Sequence, residues 1–269
     1  MKKILYILAL SHTGSTVLSL ELAKSFGGLA IGESYHVFRH SANNAEGVSN
    51  VCSCEMPLSE CPFWSDVASA PVSDSEPAWL SSYEKILEHP LSKAAPFLVD
   101  SSKKTQLLPV LRELKKRGEA DPFVIFLVRD VRGWVLSDRA AWQRKDGVTG
   151  ARNKRFTLAR HFYSWIRGNS YFERELRSSG LPFVTVGYEQ FCFDREGVLQ
   201  TIASRAGLSQ NEIQGIHHVA YSNRMKMDGA KVIYDSRWMR SWKVNVLFSL
   251  MPWIWKKNAM WVFGDEARP

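Results

Sequence analysis

The sequence predicts an α/β fold in which a parallel sheet of about five strands is flanked by helices. Short, strongly apolar runs alternate along the chain with longer segments whose apolar residues recur at helical spacing. Buried strands of a parallel sheet read as continuous apolar runs, and helical crossovers between them make the strands parallel. The chain has 269 residues, 45% of them hydrophobic, which is enough for a sizeable core, and we expect residues 1–269 to form a single domain.

Five apolar runs are predicted as the strands. They are Ile4–Leu10, Leu29–Gly32, Pro96–Asp100, Phe123–Val128 and Phe183–Gly187. The first run follows a basic start that a signal peptide would share, but no small-x-small cleavage site comes after it, so we favour a buried strand. No stretch reaches the roughly 18 apolar residues that span a bilayer, and we expect a cytoplasmic protein without a transmembrane segment.

The connections between these strands are predicted as helices. Apolar residues at helical spacing place helices over residues 17–26, 107–117, 131–142, 156–177 and 198–206. Gly27, Gly118 and Gly207 follow three of them, at the position where a left-handed residue usually ends a helix.

Two segments do not follow this alternation. Residues 34–78 are rich in Ser, Pro, Asn and Cys and lack periodicity. A loop of this length inside a domain is usually functional, so we expect an insertion or lid near the active face. Residues 244–269 are expected to form a tail packed on the domain, and their Trp and Lys residues leave contact with a membrane interface as the alternative.

Three cysteines lie close together in the insertion. Cys52, Cys54 and Cys61 follow His36 and His40, and such residues could bind zinc. Structural zinc sites usually contain Cys-x₂₋₄-Cys, and Cys-x-Cys departs from that spacing. We therefore favour ordinary reduced thiols.

Positive charge is concentrated in two segments. The formal net charge is +8, yet residues 129–160 and residues 222–257 each carry a net +6, and residues 55–88 carry a net −6. An excess of this sign indicates an anionic partner, which composition leaves open between nucleic acid, a membrane surface and a phosphate-bearing small molecule.

The segment after the first strand has the composition of an anion-binding loop. Ser11-His12-Thr13-Gly14-Ser15-Thr16 joins that strand to a helix, and amides at a helix N-terminus bind anions well. Gly14 permits close backbone approach, and Ser15 and Thr16 add hydroxyl donors. The loop has no Gly-x-x-x-x-Gly-Lys-Ser/Thr pattern, which disfavours a Walker-type nucleotide triphosphatase. A simple Gly/Ser turn is the alternative.

A second candidate anion site begins at the end of the fourth predicted strand. Arg129 stands at the edge where open α/β sheets bind ligands, and Ser137 lies two helical turns further on. A guanidinium fork and a hydroxyl at this separation could hold one phosphate group. The alternative is an ion pair of Arg129 with Asp130 or Asp138.

These two segments resemble the cofactor-binding elements of sulfotransferases that use 3′-phosphoadenosine 5′-phosphosulfate (PAPS), a family with a P-loop-like fold. Further segments resemble that family in the same order, over roughly residues 4–243, and the cysteine loop is similar to that of bacterial members. They are Gly32-Glu33, Val99–Lys103, Tyr188–Phe191 with Gly207-Leu208, and Ser222–Lys226 followed by Trp238.

The resemblance implies a set of donor-binding residues. The loop His12–Thr16 would bind the 5′-phosphosulfate through Thr13, Gly14, Ser15 and their neighbours. Arg129 and Ser137 would bind the 3′-phosphate. Tyr188, Arg224 and Lys226 would complete the nucleotide site, with Lys226 standing where the family more often has Arg.

The resemblance also implies the reaction, which is in-line transfer of a sulfuryl group to an acceptor oxygen without a metal. Glu33 is the candidate general base, a role that suits a carboxylate only if burial raises its pKa toward working pH. Lys103 would hold the sulfuryl or leaving-group oxygens. His12 replaces the Lys or Arg usual in the family, and we expect it to act as the leaving-group acid when protonated.

The acceptor is expected to be a hydroxyl of a carbohydrate or small molecule rather than nucleic acid. Two alternatives remain open from the sequence. One is a P-loop-like kinase of a small metabolite, against which the missing Walker Lys counts, and the other is a basic nucleic-acid-binding module.

Overall fold

Six strands form a parallel sheet in the order β5-β4-β1-β3-β2-β6, within the residues that the computed structural model describes. Those residues are 1–39, 51–68, 74–149, 158–208, 216–220 and 232–264, with the backbone alone over 143–149. The strands are β1 (Lys2–Ala9), β2 (Leu29–Gly32), β3 (Phe97–Asp100), β4 (Ala120–Val128), β5 (Phe183–Gly187) and β6 (Ile216–Ala220).

The predicted α/β class with a parallel sheet is confirmed, but the sheet has one strand more than predicted. The missed strand is β6, which pairs only with β2 at the edge of the sheet. Its sequence places His217 and His218 side by side between apolar residues, so it is neither a continuous apolar run nor an alternating one.

Helices connect the strands and cover both faces of the sheet. They are α1 (Ser15–Phe26), α2 (Ser34–Arg39), α3 (Ser65–Ala68), α4 (Glu76–Glu88), α5 (Pro90–Ala94), α6 (Leu108–Lys116), α7 (Val131–Thr149), α8 (Leu158–Ser179), α9 (Tyr188–Phe193), α10 (Arg195–Ala206), α11 (Trp242–Ser249) and α12 (Pro252–Asn258). None of the helices in the described ranges is long and apolar enough to cross a membrane.

The apolar run of β1 is explained by its place in the middle of the sheet. Ile4, Tyr6 and Leu8 face one core, whereas Leu5 and Ile7 face the other. Because alternate residues of a strand point to opposite faces, a strand buried on both sides has no polar positions. Helices α1 and α10 cover one face, and α4, α6 and α8 lie on the other.

The described part of the predicted insertion is folded into the core. Helices α2 and α3 and the start of α4 lie within residues 34–78. Phe63 and Trp64 are 1% and 0% exposed, and they belong to the same core as β1. Short helices and single buried aromatic residues leave no periodicity in a sequence, which is why this segment looked irregular. Its role as a lid stays a prediction.

The described part of the C-terminal segment packs across the domain. The ring of Trp261 lies 5.4 Å from that of Trp165 in α8 and 6.3 Å from that of Phe126 in β4. Trp253 and Trp255, by contrast, are 59% and 54% exposed.

The topology brings four loops to one edge of the sheet. The central strand β1 lies between β3 and β4, and β2 lies beside β3. All of these strands are parallel, so the loops that follow them open at the same carboxyl edge. Ligands of open α/β sheets bind at this edge, and the predicted site residues follow these strands.

Candidate active site

The loop after β1 packs closely against the ring of Tyr188. Gly14 has a φ of 94° and precedes α1, and a Cβ added there would lie 2.3 Å from the ring of Tyr188. His12 has a φ of 65°, a left-handed conformation that a residue other than glycine seldom adopts. Arg129 donates to the His12 carbonyl at 2.8 Å, and Trp134 donates to that of Ser11 at 2.8 Å. These bonds hold the loop in its strained form.

The exposure of the loop side chains varies. His12 is exposed, Thr16 is half-buried, and Thr13 and Ser15 are 2% and 4% exposed. Gly14, at the N-cap position of α1, has no side chain that could cap the first amides of the helix. An anion can satisfy such amides and interacts favourably with the helix dipole.

Arg129 and Ser137 converge on one carboxylate oxygen, that of Asp235. The guanidinium Nη2 lies 2.9 Å from Asp235 Oδ2, and the Ser137 hydroxyl lies 3.5 Å from the same oxygen. Arg237 also pairs with this oxygen, at 2.7 Å. The hydrogen bond from Arg237 lowers the pKa of Asp235, so the carboxylate is ionised at neutral pH. The geometry therefore places one guanidinium nitrogen of Arg129 and the Ser137 hydroxyl at the same anionic oxygen.

The alternative ion pairs expected for Arg129 are wrong. Asp130 pairs with Arg132 at 2.7 Å, and Asp138 pairs with His161 at 2.8 Å. Arg129 pairs with Asp235 instead.

Arg129 retains unused binding capacity although it is nearly buried. Its side chain is 11% exposed, and its buried Nε has no hydrogen-bond partner among the described residues. Its guanidinium carbon lies 5.3 Å from the centre of the Tyr188 ring. Burial raises the pKa of Tyr188, which keeps the phenol protonated while it donates to the Ile233 carbonyl at 3.0 Å. The buried Nε of Arg129, without a hydrogen-bond partner and close to the Tyr188 ring, is a donor that an oxygen of a bound anion could satisfy.

Glu33 and Lys103 form an ion pair at the ends of β2 and β3. The Lys103 ammonium lies 2.5 Å from Glu33 Oε1, and His36 Nε2 lies 3.2 Å from Oε2. Both partners of the ion pair are largely buried, with side chains 17% and 15% exposed. The candidate base and the residue expected to hold the sulfuryl or leaving-group oxygens are thus brought together.

The Glu33 pKa is lowered, whereas the role of general base calls for a raised one. Burial does act to raise it, but the hydrogen bond from His36 and the charge and hydrogen bond of Lys103 together outweigh burial and lower the pKa. The carboxylate is therefore ionised and able to accept a proton, but Lys103 and His36 weaken it as a base while they face it.

The backbone that presents Lys103 is fixed by buried hydrogen bonds. Lys103 has a φ of 63°, and the Tyr6 hydroxyl bonds both the amide and the carbonyl of Lys104, at 2.9 and 2.6 Å. Asp100, fully buried, accepts from the Ser102 amide at 2.7 Å and also from the hydroxyls of Ser34 and Tyr83. The Asp-Ser-Ser-Lys segment therefore works as a scaffold for its last residue.

The backbone of Glu33 is held by the edge strand. Its amide donates to the Ala220 carbonyl of β6 at 3.1 Å. Gly32, with a φ of 76°, cannot be replaced without strain, because a Cβ would also lie 2.6 Å from that carbonyl. Strand β6 thus positions the candidate base.

Glu189, beside the predicted Tyr188, is a buried carboxyl behind the Arg129 loop. It accepts a hydrogen bond from the Asp130 amide at 2.9 Å. Burial, with a smaller contribution from the Asp130 charge, raises its pKa to about 7. Its contacts with the loop after β4 indicate a structural role.

Arg224 and Lys226, predicted to close over the nucleotide, lie outside the described residues. Two contacts of the site were missed from the sequence. Asp235 gives no local signal of its pairing with Arg129, which is 106 positions away. His36 did carry one, since it stands three residues after Glu33 at the start of a helix, where side chains three apart are neighbours.

A solved structure has the same architecture. The sulfotransferase domain from the curacin biosynthetic pathway aligns with a TM-score of 0.56 over 94% of this chain and 98% of its own, at 17% sequence identity. This chain has the sulfotransferase fold. A sulfotransferase from Alicyclobacillus acidocaldarius covers 99% of this chain and 98% of its own at 7% identity, with a TM-score of 0.47 that is too low to support an argument. No protein-family model matches the sequence, and no curated protein matches it.

The sulfotransferase fold therefore rests on architecture, in agreement with the resemblance of the short motifs. At this identity a structural likeness establishes the fold alone, and fold by itself does not assign function. The roles of individual side chains have to be argued from their own contacts.

Proposed function

We propose that this protein is a sulfotransferase that moves the sulfuryl group of PAPS to a hydroxyl of a carbohydrate or small-molecule acceptor. The observation that carries the proposal is the convergence of Arg129 and Ser137 on a single anionic oxygen. It occurs beside the anion-binding loop after β1, in a chain with the sulfotransferase fold.

The nucleotide end of the site suits a 3′-phosphate. The guanidinium of Arg129 offers a planar fork, and its buried Nε is one more donor than the present contacts use. A phosphate carries more charge and more acceptor oxygens than the Asp235 carboxylate, so it can replace that carboxylate on Arg129 and Ser137. The Tyr188 ring packs against Gly14 of the loop and lies close to the Arg129 guanidinium.

The sulfuryl end of the site suits proton transfer from a hydroxyl. The acceptor oxygen forms a bond to sulfur while the bond from sulfur to the 5′-phosphate oxygen breaks, and Glu33 takes the hydroxyl proton. Lys103 turns from Glu33 toward the sulfuryl oxygens when the donor is bound. This movement removes the positive charge of Lys103, the larger of the two charge effects that lower the Glu33 pKa. The base is thereby strengthened only when substrate is present.

His12 is proposed to stabilise the departing phosphate. The residue is exposed at the mouth of the loop, and nearby phosphates favour its protonated form. No metal ion is required by this arrangement of residues.

Ligand-induced stabilisation tests the proposal without knowledge of the acceptor. Unfolding temperatures are measured with 3′,5′-adenosine bisphosphate, with ATP and with duplex DNA. We expect the bisphosphate to raise Tm most, because it alone carries the 3′-phosphate that Arg129 and Ser137 are proposed to bind. Equal stabilisation by ATP, or none by the bisphosphate, refutes the proposal. Sulfur-labelled donor incubated with a metabolite extract then identifies the acceptor by the product that carries the label.

A further inference from the structure

Three thiols and an imidazole meet between the insertion and the edge strand. The ligand atoms of Cys52, Cys54, Cys61 and His218 all lie within 4.8 Å of one another. We propose that these four side chains bind one zinc ion in a closed tetrahedral site. The site is separate from the proposed sulfuryl-transfer chemistry, and its role is structural.

Three of the distances between the ligand atoms are close to the edges of a tetrahedron around zinc. Zinc bonds of about 2.3 Å to sulfur and about 2.0 Å to nitrogen give edges of roughly 3.8 Å between sulfurs and roughly 3.5 Å between sulfur and nitrogen. Cys54 Sγ lies 3.6 Å from Cys61 Sγ. His218 Nδ1 lies 3.7 Å from Cys52 Sγ and 3.4 Å from Cys61 Sγ.

A disulfide does not account for the same geometry. A disulfide requires sulfurs about 2.05 Å apart, whereas Cys54 and Cys61 are separated by 3.6 Å and all the cysteines are free. Instead, the three sulfurs and the imidazole nitrogen form one group whose atoms all lie within 4.8 Å of one another.

The backbone is shaped to present the Cys-x-Cys pair. Val51 and Pro57 form an antiparallel bridge, and the Cys52 amide donates to the Met56 carbonyl at 2.9 Å. Glu55 turns the chain with a φ of 69°. This tight turn brings Cys52 and Cys54 to one side, which compensates for a spacing that departs from the usual zinc motif.

The ligands are buried and held by their neighbours. Cys52 and Cys61 are 3% and 0% exposed. The Phe63 ring stacks on the His218 ring at 5.6 Å, and the Trp64 indole donates to the His218 carbonyl at 2.7 Å. Supporting contacts of this kind fix the orientation of a ligating imidazole.

The chemistry of the ligand set selects the metal. Thiolates with an imidazole are a ligand set of structural zinc sites, and four protein ligands leave no open position for catalysis. Cysteine binds metal as the thiolate, so binding of the ion would release the thiol protons.

The proposed metal site departs from the reduced thiols favoured from the sequence, because nothing in the sequence indicated its fourth ligand. His36 and His40 were the histidines considered, whereas the structure supplies His218, 157 positions from Cys61. The spacing of the cysteines in the sequence cannot reveal His218, because only the sheet topology brings this residue near them.

The ion would fasten the insertion to the strand that positions Glu33. Ser53 donates through its amide to the Val219 carbonyl at 3.1 Å, and its hydroxyl accepts from the Val219 amide at 2.8 Å. One residue further on, the Ala220 carbonyl holds the Glu33 amide. Loss of the metal is expected to loosen this edge of the sheet and to lower Tm.

Metal analysis of the full chain, purified under reducing conditions, is the test. Mass spectrometry for metals should find close to one zinc per chain, and a strong chelator should remove it and lower Tm. Cys61→Ser should lose the bound zinc, whereas Cys192→Ser, which changes the cysteine outside the cluster, should retain it. If Cys61→Ser fails to fold, cobalt replaces zinc in the wild-type chain, and a tetrahedral thiolate–cobalt absorption spectrum is expected.

Three results would overturn the zinc site. The first is wild-type protein that contains no zinc and also fails to bind cobalt in a tetrahedral thiolate site. The second is iron as the bound metal. The third is a disulfide among the three thiols in the freshly purified chain. None of these measurements depends on sulfotransferase activity, so the site and the proposed function stand or fall separately.

Discussion

Asp235 offers the sharpest perturbation of the proposed nucleotide site. Its carboxylate accepts from Arg129 at 2.9 Å and from Ser137 at 3.5 Å, the two residues proposed to bind the 3′-phosphate. If the phosphate has to displace this carboxylate, Asp235→Asn removes the competitor and leaves a side chain of the same shape. We therefore expect the variant to bind 3′,5′-adenosine bisphosphate more tightly.

The size of the expected gain in affinity follows from the Arg129–Asp235 interaction that the phosphate would have to displace in the wild type. The Arg129–Asp235 pair is only 11% exposed on either side, so solvent screens it weakly. A hydrogen bond to a charged group contributes about 1.5–3 kcal/mol, and about 1.4 kcal/mol corresponds to a tenfold change in affinity. The expected gain is roughly tenfold to a hundredfold in Kd.

Isothermal titration of each variant with the bisphosphate and with AMP measures this effect. AMP lacks the 3′-phosphate, so its affinity should change much less. Asp138→Asn is the matched control, because Asp138 lies next to Ser137 but pairs with His161. Weaker binding of the bisphosphate to Asp235→Asn would refute the reasoning, since it would mean that Asp235 orients Arg129 for the ligand rather than competing with it.

Three further predictions concern the loop, the buried carboxyl and the leaving group. Gly14→Ala should lower Tm far more than Gly118→Ala. Both glycines have a positive φ, but only at Gly14 would a Cβ lie 2.3 Å from the Tyr188 ring. Equal decreases in Tm in a thermal melt would contradict this. Glu189 keeps its proton in the folded state between its ordinary pKa of 4.5 and about 7, so stability should fall by roughly 3 kcal/mol as pH rises through that window. Urea titrations at several pH values should show this slope in the wild type and not in Glu189→Gln. His12→Ala should lose turnover that His12→Lys retains, and indistinguishable turnover in the two variants would rule out the proposed role of His12.

The layered architecture was accessible from the sequence because burial on both faces leaves an unmistakable apolar run. Leu29–Gly32 and Phe183–Gly187 were predicted with the bounds that the structure gives. The edge strand Ile216–Ala220 was missed, because a strand with a neighbour on one side only tolerates paired histidines in its middle.

The candidate site was predictable in part. The end of an apolar strand marked Arg129, since ligands bind where parallel strands end. Glu33 and Lys103 were indicated by the resemblance to the sulfotransferase family. The interactions that set their chemistry were not predictable, because they join distant positions. The hydrogen bond from His36, with the charge and hydrogen bond of Lys103, lowers the Glu33 pKa against burial, and Asp235 meets Arg129 across 106 positions.

The central claim is that Arg129 recognises a 3′-phosphate, and the ratio of two affinities tests it most directly. Titration of wild type and of Arg129→Ala with 3′,5′-adenosine bisphosphate and with AMP gives the contribution of that phosphate in each protein. We expect a strong preference for the bisphosphate in the wild type and its near loss in Arg129→Ala, with AMP affinity little changed. A preference of the same size in both proteins would contradict the account.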